Sequence, residues 1–263
     1  MEGGCYHKAH PLRKGSVVFS APSVMTTVNS PERERIGGGY SAGQRLTETM
    51  SVVAFFVVEA YMAARLATSS WSWWHLLVTL VAAVTSALLA DLISGLVHWG
   101  CDTWGSLDTP LLGRVFIRQF REHHTDPEEI NRHDFVETNG TNALLALLPL
   151  AVTRALPFDP AHPSALAWAF QVGGMGVAFF VTFTSQAHKW AHAERVPAWV
   201  AWMQRHGLVL SKKHHDVHHV APHLHHYSIT GGWVDRWLER WNFFRRFEAL
   251  ITRVTGIPAR LGQ

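Results

Sequence analysis

The chain has 263 residues, 48% of them hydrophobic and only 16% charged, with 12 Trp and 14 Phe. That is one domain's length with too few charges for an ordinary water-facing surface, so a membrane-embedded protein is expected. Two cysteines, Cys5 and Cys101, exclude a disulfide framework and a four-thiolate zinc site, and a net charge of +3 from basic residues spread around apolar segments argues against nucleic-acid binding.

Residues 1–45 carry Gly37-Gly38-Gly39 with Ser, Thr and Pro, show no apolar period and hold no apolar core of a signal peptide. They read as a disordered N-terminal tail, with Met25 as an alternative start. Four apolar stretches follow at 49–67, 71–97, 138–156 and 164–187. A spanning helix needs about 20 mostly apolar residues, which the second and fourth stretches supply outright. The first contains Glu59 and Arg65; the third contains Pro149 and Arg154, and reaches spanning length only if residues 138–142 join its helix. The expected fold is all-α: a multi-pass membrane protein with about four transmembrane helices in a domain covering 46–255, followed by a short tail at 256–263. Within 233–251, Trp233, Trp237, Trp241 and Phe244 recur at helical spacing opposite most of the charges, the pattern of one amphipathic helix lying at the bilayer surface or packed on its own domain.

Histidine is the outlier. Thirteen of the 18 fall at 98, 123–133, 188–192 and 214–226. His188 and His192 stand at i and i+4 on one helix face, and His215-Asp216-Val217-His218-His219 lets three ring nitrogens converge. His98 has Asp102 four residues on and Asp91 seven residues before, placed to hold its second ring nitrogen. His123, His124 and His133 complete the upstream set. Eight or more histidines exceed what one zinc ion uses, so two metals are expected, and imidazole alone does not choose among iron, copper, zinc and nickel. His7, His10, His75, His162 and His206 read as ordinary surface or core residues, and Gly173-Gly174-Met175-Gly176 as a close helix contact rather than a phosphate loop.

The histidines at 98–133 lie between the second and third apolar stretches, and those at 188–226 after the fourth. Four crossings therefore put both sets on one face. Arg33, Arg35, Arg45, Arg114, Arg118, Arg121, Arg132, Lys189, Arg195 and Arg205 flank that same side, which makes it cytoplasmic by the positive-inside rule.

His98-Trp99-Gly100-Cys101-Asp102-Thr103-Trp104-Gly105, Phe120-Arg121-Glu122-His123-His124-Thr125-Asp126-Pro127 and Arg132-His133-Asp134-Phe135-Val136-Glu137-Thr138-Asn139-Gly140 closely resemble the plasmanylethanolamine desaturase family. So do 187–192 and 213–222, and the resemblance covers roughly residues 50–255. It implies a membrane lipid desaturase domain that dehydrogenates the 1-O-alkyl chain of an ether phospholipid next to the ether oxygen, giving the vinyl ether of a plasmalogen. Two iron ions, O2 as co-substrate and an external electron donor, cytochrome b5-like or ferredoxin-like, are implied with it. By motif match the iron ligands are His98, His123, His124, His188, His192, His215, His218 and His219. Asp91, Asp102, His133, His214 and His223 stand as further ligands or supports of ligands. The late His cluster is also similar to plant plastid acyl desaturases, while 132–140 is closer to the ether-lipid branch; the histidines after Pro222 depart from the pattern near the expected substrate entrance. A bacterial inner membrane is favoured by the Arg-rich composition, the endoplasmic reticulum membrane if the source is eukaryotic.

Two rivals remain. An acyl-lipid desaturase or hydroxylase would share the metal site and differ only in product. A membrane metal transporter would place its ligands near the midplane, whereas these lie at span ends, and the His-Glu-x-x-His string of a zinc protease is absent.

Overall fold

The computed structural model describes residues 40–110 and 112–260; the N-terminal tail with the Met25 reading, His7 and His10, and the last three residues lie outside the described residues. Every regular element among the described residues is helical: α1 (Ala42–Ala67), α2 (Trp73–Thr103), α3 (Arg118–Thr125), α4 (Glu129–Arg132), α5 (Phe135–Ala155), α6 (Ala165–His192), α7 (Ala198–Arg205), α8 (Lys212–His215), α9 (Asp235–Arg240) and α10 (Phe243–Thr255). A π-helical turn at Gly113–Ile117 leads into α3.

Helices α1, α2, α5 and α6 are each long and apolar enough to cross a membrane. The third apolar stretch reaches that length because Asp134 caps α5 at its start, its carboxylate accepting from the N–H groups of Val136 (2.9 Å) and Glu137 (3.0 Å), so residues 135–142 become helical. Pro149 does not end the helix. In the first stretch, Arg65 reaches the far end of the span and donates to the Phe158 carbonyl (3.0 Å) while lying over the Phe158 ring.

Helix α6 packs against both α2 and α5, and α1 packs on α5. Lipid tails give no hydrophobic drive between helices, so close backbone approach and buried hydrogen bonds hold them. A Cβ at Gly174 would run into Thr153 Oγ1 and one at Gly176 would meet Ser86 at 2.7 Å. Ser86 donates to the Gly173 carbonyl (2.9 Å), Gln171 to the Thr153 carbonyl (3.0 Å), Asn142 to Ser185 (2.9 Å) and Trp168 to Thr79 (2.9 Å).

The C-terminal region departs from the expected single helix over 233–251. Asn242 adopts a left-handed conformation (φ 49°), which Asn tolerates, and it separates α9 from α10. The aromatic stripe is split in consequence: Phe244 is buried with Trp99, Tyr227 and Leu238, whereas Trp237 and Trp241 are exposed.

Candidate metal centre

The two spans that carry candidate ligands, α2 and α6, carry them in their closing turns. Helix α2 extends past residue 97, so His98 and Asp102 sit at i and i+4 on one face; α6 extends past residue 187, placing His188 and His192 the same way. Helix α3 carries His123 and His124 in its last turn. The remaining donors come from the segment after α7. Ser211 caps α8, and tight turns bring His218 N–H to the His215 carbonyl (2.9 Å), so His215, His218 and His219 face inward together.

Two contacts dock this segment. Val209, Leu210 and Ile229 pack with Ala187 and Ala191 at the end of α6, each large aliphatic contributing about 1.5–3 kcal/mol by burial. On α2, the Asp91 carboxylate accepts from the N–H groups of Gly231 (2.8 Å), Gly232 (3.0 Å) and Val234 (3.1 Å), and Ser94 accepts from Ile229 N–H (3.1 Å).

The result is two buried groups of donors that share one member. His123, His188, His192, His215 and His219 form the first; His98, His123, His124 and His218 form the second. In the first, Nε2 atoms approach one another at 2.8 Å (His188–His215), 3.0 Å (His188–His192 and His192–His215) and 3.1 Å (His215–His219). In the second, the Nε2 atoms of His124 and His218 are 2.9 Å apart, and Asp102 Oδ2 lies 3.5–3.6 Å from the Nε2 atoms of His98, His124 and His218. Two nitrogens each about 2.1 Å from one ion and at right angles around it lie about 3 Å apart, so these spacings suit shared coordination.

The donor set fits a pair of cations on three grounds. First, the Nδ1 atoms of His98 and His218 donate to the carbonyls of Tyr227 and His225, both at 2.9 Å, so a lone pair on each Nε2 faces the chamber. Second, His98 Nε2, both ring nitrogens of His123 and both oxygens of Asp102 are buried without a hydrogen-bond partner, which is costly unless something positive sits among them. Third, burial among other imidazoles pushes His123, His124 and His215 well below the ordinary imidazole range, His218 down to about 3 and His219 to about 4. Neutral imidazole is the ligand form.

The structure brings His98, His123, His124, His188, His192, His215, His218, His219 and Asp102 together. Asp91 stands apart: it does not hold His98, because its oxygens are taken by three backbone N–H groups of the 231–234 loop, and the Tyr227 carbonyl occupies the second nitrogen of His98. His133 is also elsewhere, beside Glu129 (3.1 Å) and Glu137 (3.7 Å), its carbonyl accepting from Lys189. His214 pairs with Asp235 (2.8 Å) and stacks on His226, forming a third, separate group with them. His223 donates to the His218 carbonyl (3.0 Å) and lies over the ring of His124, covering the chamber without joining either group. His75 caps α2, its Nδ1 accepting from Ser72 N–H (2.8 Å). Sequence reasoning missed Tyr227 and Asp235. Asp235 holds Ser228 N–H (3.1 Å) as well as His214; the Tyr227 contribution is a backbone carbonyl, which leaves no signature in sequence.

A family model described as the lipid desaturase domain matches residues 87–261. The chain belongs to this lipid desaturase family. Its match begins just before Asp91 on α2 and takes in every donor of both histidine groups. Among relatives, the chain is 44% identical over 224 residues to mouse plasmanylethanolamine desaturase 1, covering 84% of this chain and 82% of that protein. It is 39% identical over 234 residues to Myxococcus xanthus plasmanylethanolamine desaturase, covering 89% and 81%. Identity to the chloroplastic fatty acid desaturase 4 of Arabidopsis thaliana is 32% over 182 residues, 68% of this chain and 54% of that protein. No solved structure matches the chain.

Proposed function

We propose that the chain is a plasmanylethanolamine desaturase, an integral membrane oxidoreductase forming the vinyl ether of a plasmalogen from the 1-O-alkyl chain of an ether phospholipid. Two hydrogens leave the adjacent carbons next to the ether oxygen; with two electrons and two protons from an external donor they reduce one O2 to two waters. The observation that carries the reading is a two-centre histidine chamber joined by His123, at the end of four apolar helices, in a chain whose two ether-lipid desaturase relatives match it over most of both lengths.

His188, His192, His215 and His219 would hold one ion and His98, His124, His218 and Asp102 the other, with His123 in reach of both. Iron suits the donors and the chemistry: O2 reduction needs a redox metal, and zinc has no redox states. A bound di-iron pair supplies oxygen activation; the protein fixes which two carbons react by where it holds the chain. The carbonyls of Tyr227 and His225 keep the His98 and His218 rings oriented, and the buried surroundings exclude bulk water.

The lipid desaturase domain occupies 46–255. Its histidine-bearing side is cytoplasmic, because Arg118, Arg121, Arg132, Lys189, Arg195 and Arg205 gather there. A cytochrome b5-like or ferredoxin-like donor meets that side. The membrane is a bacterial inner membrane, or the endoplasmic reticulum membrane in a eukaryotic cell.

The test is lipid mass spectrometry of desaturase-deficient cells expressing the chain and fed an alkylglycerol. Ether phospholipids two hydrogens lighter that release aldehyde in acid are expected. Alkyl lipids left saturated by an expressed, iron-loaded protein with a working donor would overturn the reading, and acyl-chain desaturation or hydroxylation would then be sought in the same extract.

A further inference from the structure

A groove made of two cavities in line runs along α6 between α2 and α5. Its wall on α2 is a row of residues each four apart, Leu77, Val81, Thr85, Leu89, Ile93 and Val97, which is one ridge of a helix. The opposing residues on α6 advance in step: Phe170, Gly173, Val177, Val181 and Ser185. The outer part is a cavity of about 630 Å³ closed on the α5 side by Pro149. The inner part is a throat of about 90 Å³ whose lining includes Phe120, and the Phe120 ring lies 4.8 Å from that of His98. The inner cavity thus reaches the histidine chamber only as far as Phe120, and the outer cavity follows it in register along α2 and α6 away from the chamber.

We infer that this groove seats the alkyl chain of the lipid substrate, first carbons at the throat, and that Gly173 marks where its methyl end lies. The inference rests on the desaturase reading and adds the path of the chain and a residue that limits its length. Three observations argue for this occupant. The groove's inner end is walled by Phe120, whose ring packs beside that of His98 at the chamber where the chain must react. Its walls are apolar along most of their length, which suits a saturated chain and no polar ligand. Its depth also matches one leaflet: Gly173 is twelve residues from Ser185, about 18 Å along a helix, against about 15 Å for half of a hydrocarbon core.

Gly173 is the place to test this. A Cβ added there meets nothing within 4 Å, unlike one at Gly174 or Gly176, and Gly173 lines the outer cavity, so Gly173→Phe starts its side chain in open space on the groove side. With purified, iron-loaded protein in lipid nanodiscs and a reductant system, Gly173→Phe should lose about tenfold or more in turnover of an octadecyl ether relative to a dodecyl ether, the effect of displacing about two methylenes from an apolar site. Leu148→Phe, on an α5 surface 70% exposed and outside the groove, should leave the ratio unchanged. Independently of turnover, an octadecyl ether lipid carrying a diazirine at its methyl end should label α6 near Gly173 and the facing part of α2. Vinyl-ether formation with an unaltered chain-length ratio in Gly173→Phe, or label confined to α1, overturns the groove and leaves the desaturase reading intact. Labelling at Gly173 by a wild-type protein that makes no vinyl ether keeps the groove and sinks the reading.

Discussion

The Nδ1–H of His98 donates to the carbonyl oxygen of Tyr227 at 2.9 Å, across 129 residues of sequence. This bond joins the closing turns of a transmembrane helix to the segment that delivers His218, and it leaves the His98 Nε2 lone pair toward the chamber.

Because His219 belongs to one group, His218 to the other and His123 to both, single alanine variants should lose metal unequally. If the two groups each hold one ion, His218→Ala and His219→Ala should each retain about half the wild-type metal, one site being weakened in each, while His123→Ala retains less than either. All three should insert into the membrane normally and lose activity. Iron per chain by elemental analysis reads this directly; equal depletion in all three would contradict the division.

Asp91 should act through the loop and not through His98. Asp91→Ala leaves three backbone N–H groups without their acceptor, at about 1–3 kcal/mol each where they are buried. A large drop in Tm is expected with or without bound metal. A variant that bound metal poorly yet unfolded at the wild-type temperature would show that the carboxylate serves the metal instead.

Adjacent glycines in α6 should respond in opposite directions. Gly174→Ala forces its new methyl into Thr153 and should cost about 1–3 kcal/mol by overpacking, whereas Gly173→Ala meets open space and gains up to about 1 kcal/mol in helix propensity. Thermal unfolding in detergent compares the pair.

Acid should destabilise the metal-free fold. His218 and His219 titrate at about 3 and about 4 when folded, with burial the leading cause, and near about 6.5 when unfolded. The unfolded chain therefore binds more protons as pH falls below about 6.5, and stability declines continuously until about pH 3–4, where the folded chain protonates as well; above about 6.5 these groups contribute no slope. The Tm of chelator-treated protein should fall between about pH 7 and pH 5. A flat profile would mean that the imidazoles are not held neutral.

What the sequence determined by itself is what depends on near neighbours. Apolar length marked four spans, and i to i+4 spacing put His188 with His192 and His215 with His219, because a helix or a turn fixes those distances without help from the rest of the chain, whereas His218, expected to converge with the latter pair, joins the other group. The motif resemblance reached the family for the same reason: it rests on contiguous strings. Only the tertiary structure decided which histidine joins both groups, that Asp91 holds the 231–234 loop, and that a Tyr227 carbonyl orients His98. Each of these depends on how α2, α6 and the distant 209–234 segment pack, through backbone acceptors and shape complementarity that carry no periodic signal. The left-handed turn at Asn242 belongs with them, since a periodic aromatic stripe runs through it in sequence and only the burial of Phe244 against Trp99 and Tyr227 shows where the helix breaks.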